Sequence, residues 1–280
     1  MRRVIISTIG TSLLTNQINR ANPDEKDWYS HLRDTANLNE DKTPEDVKQI
    51  IAILKQRADE QLSGAKISLI RRASAELNGI YGIYQDNFSQ GKEDIHFLIA
   101  TDTAQGKTTA KIVEDFLRKQ GLNNTSTFTP SGLSTASTEA FSLGIDALIV
   151  WLQDTIPQLK RDKYKIYFNL VGSFKSLQGY LNTIGMFYAD EIIYIFEGEK
   201  SDLITIPRLP IAVDASLIKP YALQLALLDT GAGLSANETV GIPETMLAEV
   251  DGKMTLSTWG QLIWNQCKDD LLSEEANKNP

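Results

Sequence analysis

Three short stretches carry small polar residues directly after apolar, β-rich runs: Gly10-Thr11-Ser12, Thr101-Asp102-Thr103 and Gly172-Ser173-Phe174-Lys175-Ser176. Glycine allows close backbone approach, Ser and Thr offer hydroxyls, and Lys175 adds a full positive charge where a following helix would begin. A helix N-terminus already attracts anions through unpaired N–H groups and its partial positive charge. A lysine in that first turn suits a strongly negative ligand such as a phosphate. Any one of these stretches is explained by turn-making and helix capping. All three together, one with a lysine, favour an anion-handling crevice.

Such a crevice requires the three stretches to meet. The order of elements provides this: apolar strands alternate with amphipathic helices, which implies a mostly parallel Rossmann-like sheet with helices on both faces. In that α/β fold the strand C-termini line one edge. Strands are expected at 2–10, 65–70 ("AKISLI"), 94–103, 164–172 and 190–198. Helices are expected at 43–64, with Thr43 as N-cap and Pro44 first, and over "SAELNGIYGIYQ", 108–121 and 134–160. The polar stretch 15–43 reads as loop with some helix, and "STFTP" as a short connection. The pattern changes after residue 205, so residues 1–206 are expected to form the Rossmann-like domain and 207–280 a small appendage. The appendage reads as a helix near 216–228, a hairpin turning on Asp251-Gly252 and a helix over "STWGQLIWNQCKDDLL". The final "SEEANKNP" is expected to fray.

Composition narrows the chemistry. The net charge of −8 argues against broad DNA binding, which rests on Lys and Arg neutralising phosphates. No apolar run approaches a membrane span, and "MRRVIISTIG" reads as a buried first strand, not a signal peptide. The single cysteine, Cys267, excludes an intramolecular disulfide and any cysteine-rich metal site, so the expected location is the cytoplasm. His31 and His96 have no second ligand at metal spacing, so neither a metal site nor a cofactor is expected. "AQGKTT" lacks the first glycine of a phosphate loop, Thr101 standing in its place, and "GTSLL" is not a dinucleotide fingerprint. Lys107 and Lys111 are assigned to a solvated helix face.

The pairing of "STIGTSLL" with "NLVGSFKSLQGYL" resembles the CRISPR-associated Rossmann-fold (CARF) domain of type III CRISPR systems. The resemblance extends over roughly 1–200, through "LIATDTAQGKTTAKIVEDFL" and "GLSTASTEAFSLGIDALIVWL", and is nearest to the stand-alone ring nucleases. It implies a homodimer with a cyclic oligoadenylate across its two-fold axis, and cleavage of that ring without metal by attack of a ribose 2′-hydroxyl. It further implies catalytic roles for Ser12 and Lys175, with Gly10, Thr11, Thr101, Asp102, Thr103, Gly172 and Ser173 around the ligand. Among these, Thr11, Asp102, Thr103 and Ser173 are candidates for adenine or ribose contacts. The Arg-x4-His signature of a ribonuclease effector is absent, since Lys26 and Gly91 stand five residues before His31 and His96. That absence favours destruction of the messenger over response to it. A non-catalytic CARF sensor controlling a partner is the main alternative. A Rossmann-like enzyme of a small nucleotide is a more distant one. Ring size, four or six, stays open.

Overall fold

A computed structural model describes residues 1–196 and 202–276. The chain separates into two compact units, Met1–Ala147 with Thr155–Leu209, and Leu148–Asp154 with the residues from Pro210 onward.

The first unit follows the expected alternation. It contains β1 (Arg3–Thr8), α1 (Ser12–Thr15), α2 (Trp28–Asp34), α3 (Glu45–Gly64), α4 (Ile67–Ala73), α5 (Ala75–Ile83), β2 (Ile95–Ile99), α6 (Ala104–Lys119) and β3 (Thr125–Phe128). It continues through α7 (Thr138–Arg161, whose middle counts with the second unit), β4 (Lys165–Asn169), α8 (Lys175–Tyr188), β5 (Glu191–Ile195) and β6 (Leu203–Pro207). The strands form one six-stranded sheet in the order β3-β2-β1-β4-β5-β6, parallel except for β6. This is a Rossmann-like arrangement. Val4 through Thr8 are all buried, as a strand covered on both faces must be. Ile5 and Leu98 pack into a core with Leu54, Leu77, Ile80 and Ile112 from the helices. Each such side chain contributes about 1.5–3 kcal/mol by leaving water.

Three expectations need correction. "AKISLI" is not a strand: Ile67–Ala73 form α4, with Ile70 and Ala73 buried three residues apart while Ile67 and Leu69 are exposed. A short apolar run has no periodicity long enough to separate the two possibilities. The "STFTP" connection contains β3, an edge strand pairing only with β2. The cap of α3 is Pro44, not Thr43, whose hydroxyl donates to the Asn39 carbonyl. The expected strand 190–198 is β5 up to Ile195, and 197–198 lie outside the described residues.

The second unit has its own core of Leu225, Leu228, Met246, Trp264 and Cys267. Its elements are α9 (Ala222–Asp229), the hairpin β7 (Leu247–Val250) and β8 (Lys253–Leu256), α10 (Thr258–Asn265) and α11 (Lys268–Ala276). The hairpin turns at Asp251-Gly252, both with positive φ (51° and 74°). One helix was expected where α10 and α11 stand, separated at Gln266-Cys267. Of the stretch expected to fray, 273–276 are helical within α11, and 277–280 lie outside the described residues. Among the described residues, no helix is long and apolar enough to cross a membrane.

Candidate functional site

β1 and β4 are neighbours at the point where the strand order reverses, the position at which doubly wound sheets open a crevice. Their exit turns touch. The Thr8 hydroxyl donates to the Gly172 carbonyl at 2.6 Å, and a Cβ on Gly10 would sit 3.0 Å from the Ser173 backbone nitrogen. Any larger residue at position 10 would have to push these neighbours apart. Asn169, fully buried at the end of β4, donates to the Ser7 hydroxyl and to the Glu76 carbonyl, both at 3.0 Å, tying the strand ends to α5.

Over these turns lies a cavity of about 470 Å³. Gly10, Thr11, Ser12, Thr101, Thr103, Gly172 and Ser173 all line it. Asp102 and Lys175 are not among its lining residues, although Lys175 directly follows Phe174, which is. Six of the remaining wall positions come from the 15–43 stretch: Thr15, Tyr29, Leu32, Arg33, Ala36 and Asn37. Positions 29, 32, 33 and 36 repeat at helical spacing, so α2 and its extension turn one face to the cavity. That spacing was the readable signal for Tyr29 and Arg33, both absent from the sequence-based site. The wall is anchored by Gln105, which donates to the Leu32 carbonyl at 2.7 Å, and by Thr135, whose hydroxyl donates to Asn37 at 2.6 Å.

The strand exits differ in how their polar groups are used. Thr103 caps α6, accepting from the Gly106 N–H at 3.1 Å, and its hydroxyl bonds to that of Thr101 at 3.0 Å. Asp102 holds Lys107 at 2.7 Å and the Gly132 N–H at 2.9 Å, and these partners keep its carboxyl below the ordinary aspartate value. Helix α6 therefore starts earlier than expected, and Lys107 is a half-exposed partner of Asp102. By contrast, α8 begins after Phe174, which offers no side-chain cap. Ser173 has φ +97°, in the left-handed region, and its buried Oγ has no hydrogen-bond partner. Such backbone costs about 1–3 kcal/mol and clusters where function requires it. Thr11 likewise leaves α1 without a side-chain cap, and Ser12 and Lys175 are exposed.

Glu76, on α5, was also missed. It is fully buried, and its Oε1 accepts the Gly10 N–H at 2.5 Å, so that N–H is not free to meet a ligand. Its signal was a charge on the stripe Ala73, Leu77, Ile80, Tyr81, all buried. His96 stands near the start of β2, not at the strand exits. It is buried 3.0 Å from the Tyr84 hydroxyl, and burial pushes its pKa down to about 4. It stays neutral in a network with Asp94 and Arg3, Asp94 accepting from Arg3 Nε at 2.7 Å and from Tyr84 at 2.9 Å.

Residues 71–209 match the model of a family described as CRISPR-associated protein (Cas_APE2256). The match supports a CRISPR-associated protein. It spans the β2 and β4 exits and Glu76, while Gly10, Thr11 and Ser12 lie before it.

Proposed function

We propose that this protein is a ring nuclease of type III CRISPR signalling, binding cyclic oligoadenylate at the β1 and β4 exits and cleaving it without a metal. The observation that carries the reading is the contact between these two turns beneath a cavity, with Ser12 exposed, Ser173 Oγ unpartnered and α8 uncapped. A cavity of about 470 Å³ lies within the roughly 300–1,000 Å³ range of small-molecule sites. It suits one nucleotide unit, so a ring of four would extend over a second copy of the site, as in a two-fold homodimer.

The reaction needs no activated water. The 2′-oxygen attacks phosphorus, the bond to the 5′-oxygen breaks, and the proton of the 2′-hydroxyl passes to the departing 5′-oxygen. The products are linear di-adenylates, each with a 2′,3′-cyclic phosphate. Ser12 holds the reacting ribose or phosphate in line, and Lys175 neutralises charge developing on the phosphoryl oxygens. The uncapped N–H groups at the start of α8 assist, and Arg33, paired with Asp34 at 2.8 Å, adds a guanidinium to the wall. One preorganised donor of this kind contributes about 3–4 kcal/mol to lowering the barrier.

One observation favours the non-catalytic sensor: Lys175 lies outside the residues lining the cavity. Incubation with cyclic tetra-adenylate in excess EDTA separates the two. Di-adenylate products support the nuclease. A ring bound but intact at stoichiometric protein leaves the sensor, and a chain that neither binds nor cleaves it overturns both.

A further inference from the structure

Directly behind the two exit turns lies a carboxyl group that, among the described residues, no charged side chain faces. Glu76 Oε1 accepts the Gly10 N–H at 2.5 Å, and Oε2 bonds to the Ser74 hydroxyl at 2.6 Å. Ser74 in turn caps α5 through the Leu77 N–H at 3.2 Å. From the β4 side, Gly172 lies flat against the carboxyl: a Cβ there would come within 2.3 Å of Oε1. One buried group thus touches both turns from below, while the cavity opens above them.

The groups around it are polar and uncharged: Ser74 before α5, Gly10 from the β1 exit, and Gly172 from the β4 exit, with Asn169 bound to the Glu76 backbone carbonyl. The cations of the site, Arg33 and Lys175, are both exposed. A buried carboxylate without a cation costs several kcal/mol, a cost that protonation of the group removes. Burial accordingly pushes the Glu76 carboxyl above the ordinary glutamate value, against the hydrogen bonds from Ser74, from the Gly10 N–H and from its own backbone N–H, which favour the charged form. A charged Glu76 would also place a negative group immediately beneath the position meant for an anion.

We propose that Glu76 is a positioning residue that works as a neutral carboxylic acid, locking the Gly10 and Gly172 turns together without setting a negative charge under the crevice. This rests on the proposed function only in that the crevice takes an anion.

The decisive measurement needs no ligand. A carboxyl whose folded value lies above its unfolded one contributes stability that is present below the unfolded value and lost as pH rises to the folded one. From pH 5 upward, the unfolding constant of the wild type relative to Glu76→Gln should rise about tenfold per pH unit until the folded value is reached. Parallel profiles would overturn the neutral-acid assignment. If Glu76→Gln does not fold, the carboxyl 13C resonance of Glu76 in the wild-type chain decides. A protonated signal above pH 5 supports the proposal, and a carboxylate signal throughout overturns it. Positioning is read from amide exchange: the Gly10 N–H should stay protected in Glu76→Gln and lose protection at least tenfold in Glu76→Ala, with core amides unchanged. Equal protection in Glu76→Ala would remove the positioning role. With cyclic tetra-adenylate, Glu76→Gln should hold its cleavage rate as pH rises, whereas the wild type declines; a wild-type decline shared by Glu76→Gln would count against Glu76. Should the wild type not bind this ring, the proposed function fails while the ligand-free arms still judge Glu76.

Discussion

The exits of β2 and β4 lie on the same sheet edge and use the same kinds of residue, yet they are finished in opposite ways. After β2, Thr103 caps its helix, Thr101 bonds to Thr103, and Asp102 is matched to Lys107 and Gly132. After β4, Phe174 leaves α8 uncapped, Ser173 is held in a left-handed conformation with an unpartnered hydroxyl, and Lys175 is exposed. Folding alone would favour the first arrangement, because each satisfied cap or buried polar group is worth about 1 kcal/mol. The β2 exit is a joint. The β4 exit gives up stability in a form that a ligand could recover.

The sharpest way to break this contrast is to remove a lysine from each exit. Lys175→Ala should lower the cleavage rate of cyclic tetra-adenylate by about 10²–10³-fold, the usual loss when one donor to the transition state is deleted. Its affinity for the ring should fall less than about tenfold, since the charge acts mainly as the barrier is crossed. Lys107→Ala, which removes only a half-exposed ion pair, should change the rate by less than about threefold. Single-turnover rates in EDTA compare the two directly, and equal losses would erase the distinction.

Next in size is Gly172→Ala. Its Cβ would come within 2.3 Å of Glu76 Oε1, so the buried glutamate side chain would have to shift. Overpacking of this kind costs about 1–3 kcal/mol, a drop of roughly 2–10 °C in melting temperature for a chain of this size. Thermal unfolding checks it, and an unshifted midpoint would mean that the β4 exit is looser than its geometry.

The parallel sheet was readable because apolar strands and amphipathic helices alternate. The failures came where local pattern underdetermines structure. "AKISLI" became a helix since its six residues fit either period, and only the burial of Ile70 and Ala73 against the core decides. Strand β3 was hidden because Thr125–Phe128 is polar and borders a single neighbour. For the site, the residues on the exits were legible, but which of them are spent on structure was not. Thr103 and Ser173 are alike in sequence, and only the backbone geometry makes one a cap and leaves the other unpartnered. Glu76 and Arg33 come from segments distant from the exits: each sits at helical spacing on its own element, but that spacing does not say which element faces the crevice.

A smaller but sharper comparison sets two hydroxyl residues against each other. Ser173→Gly relieves the left-handed backbone and should stabilise the protein by up to about 1 kcal/mol, while slowing cleavage. Thr103→Ala removes a cap and should destabilise by about 1 kcal/mol, while leaving cleavage within about threefold. Chemical denaturation read beside activity shows whether the two move in opposite directions. A Ser173→Gly variant that is both weaker and fully active would contradict the account of β4.

The smallest effect tests whether the β2 exit is only a joint. Lys107, and after it the Gly132 N–H, holds the Asp102 carboxyl below its ordinary value of 3.8. A depressed carboxyl contributes stability that is present above its unfolded value and lost as pH falls through its folded one. Asp102→Asn should therefore be less stable than the wild type by a constant amount between pH 8 and pH 5, and the gap should close below about pH 4. Because the pair is partly exposed, the gap should be no more than about 1 kcal/mol and should shrink in high salt. Denaturation series at several pH values, with and without salt, measure it. If the gap instead widened toward acid, Asp102 would not be spent on Lys107, and the β2 exit would have to be counted with the crevice.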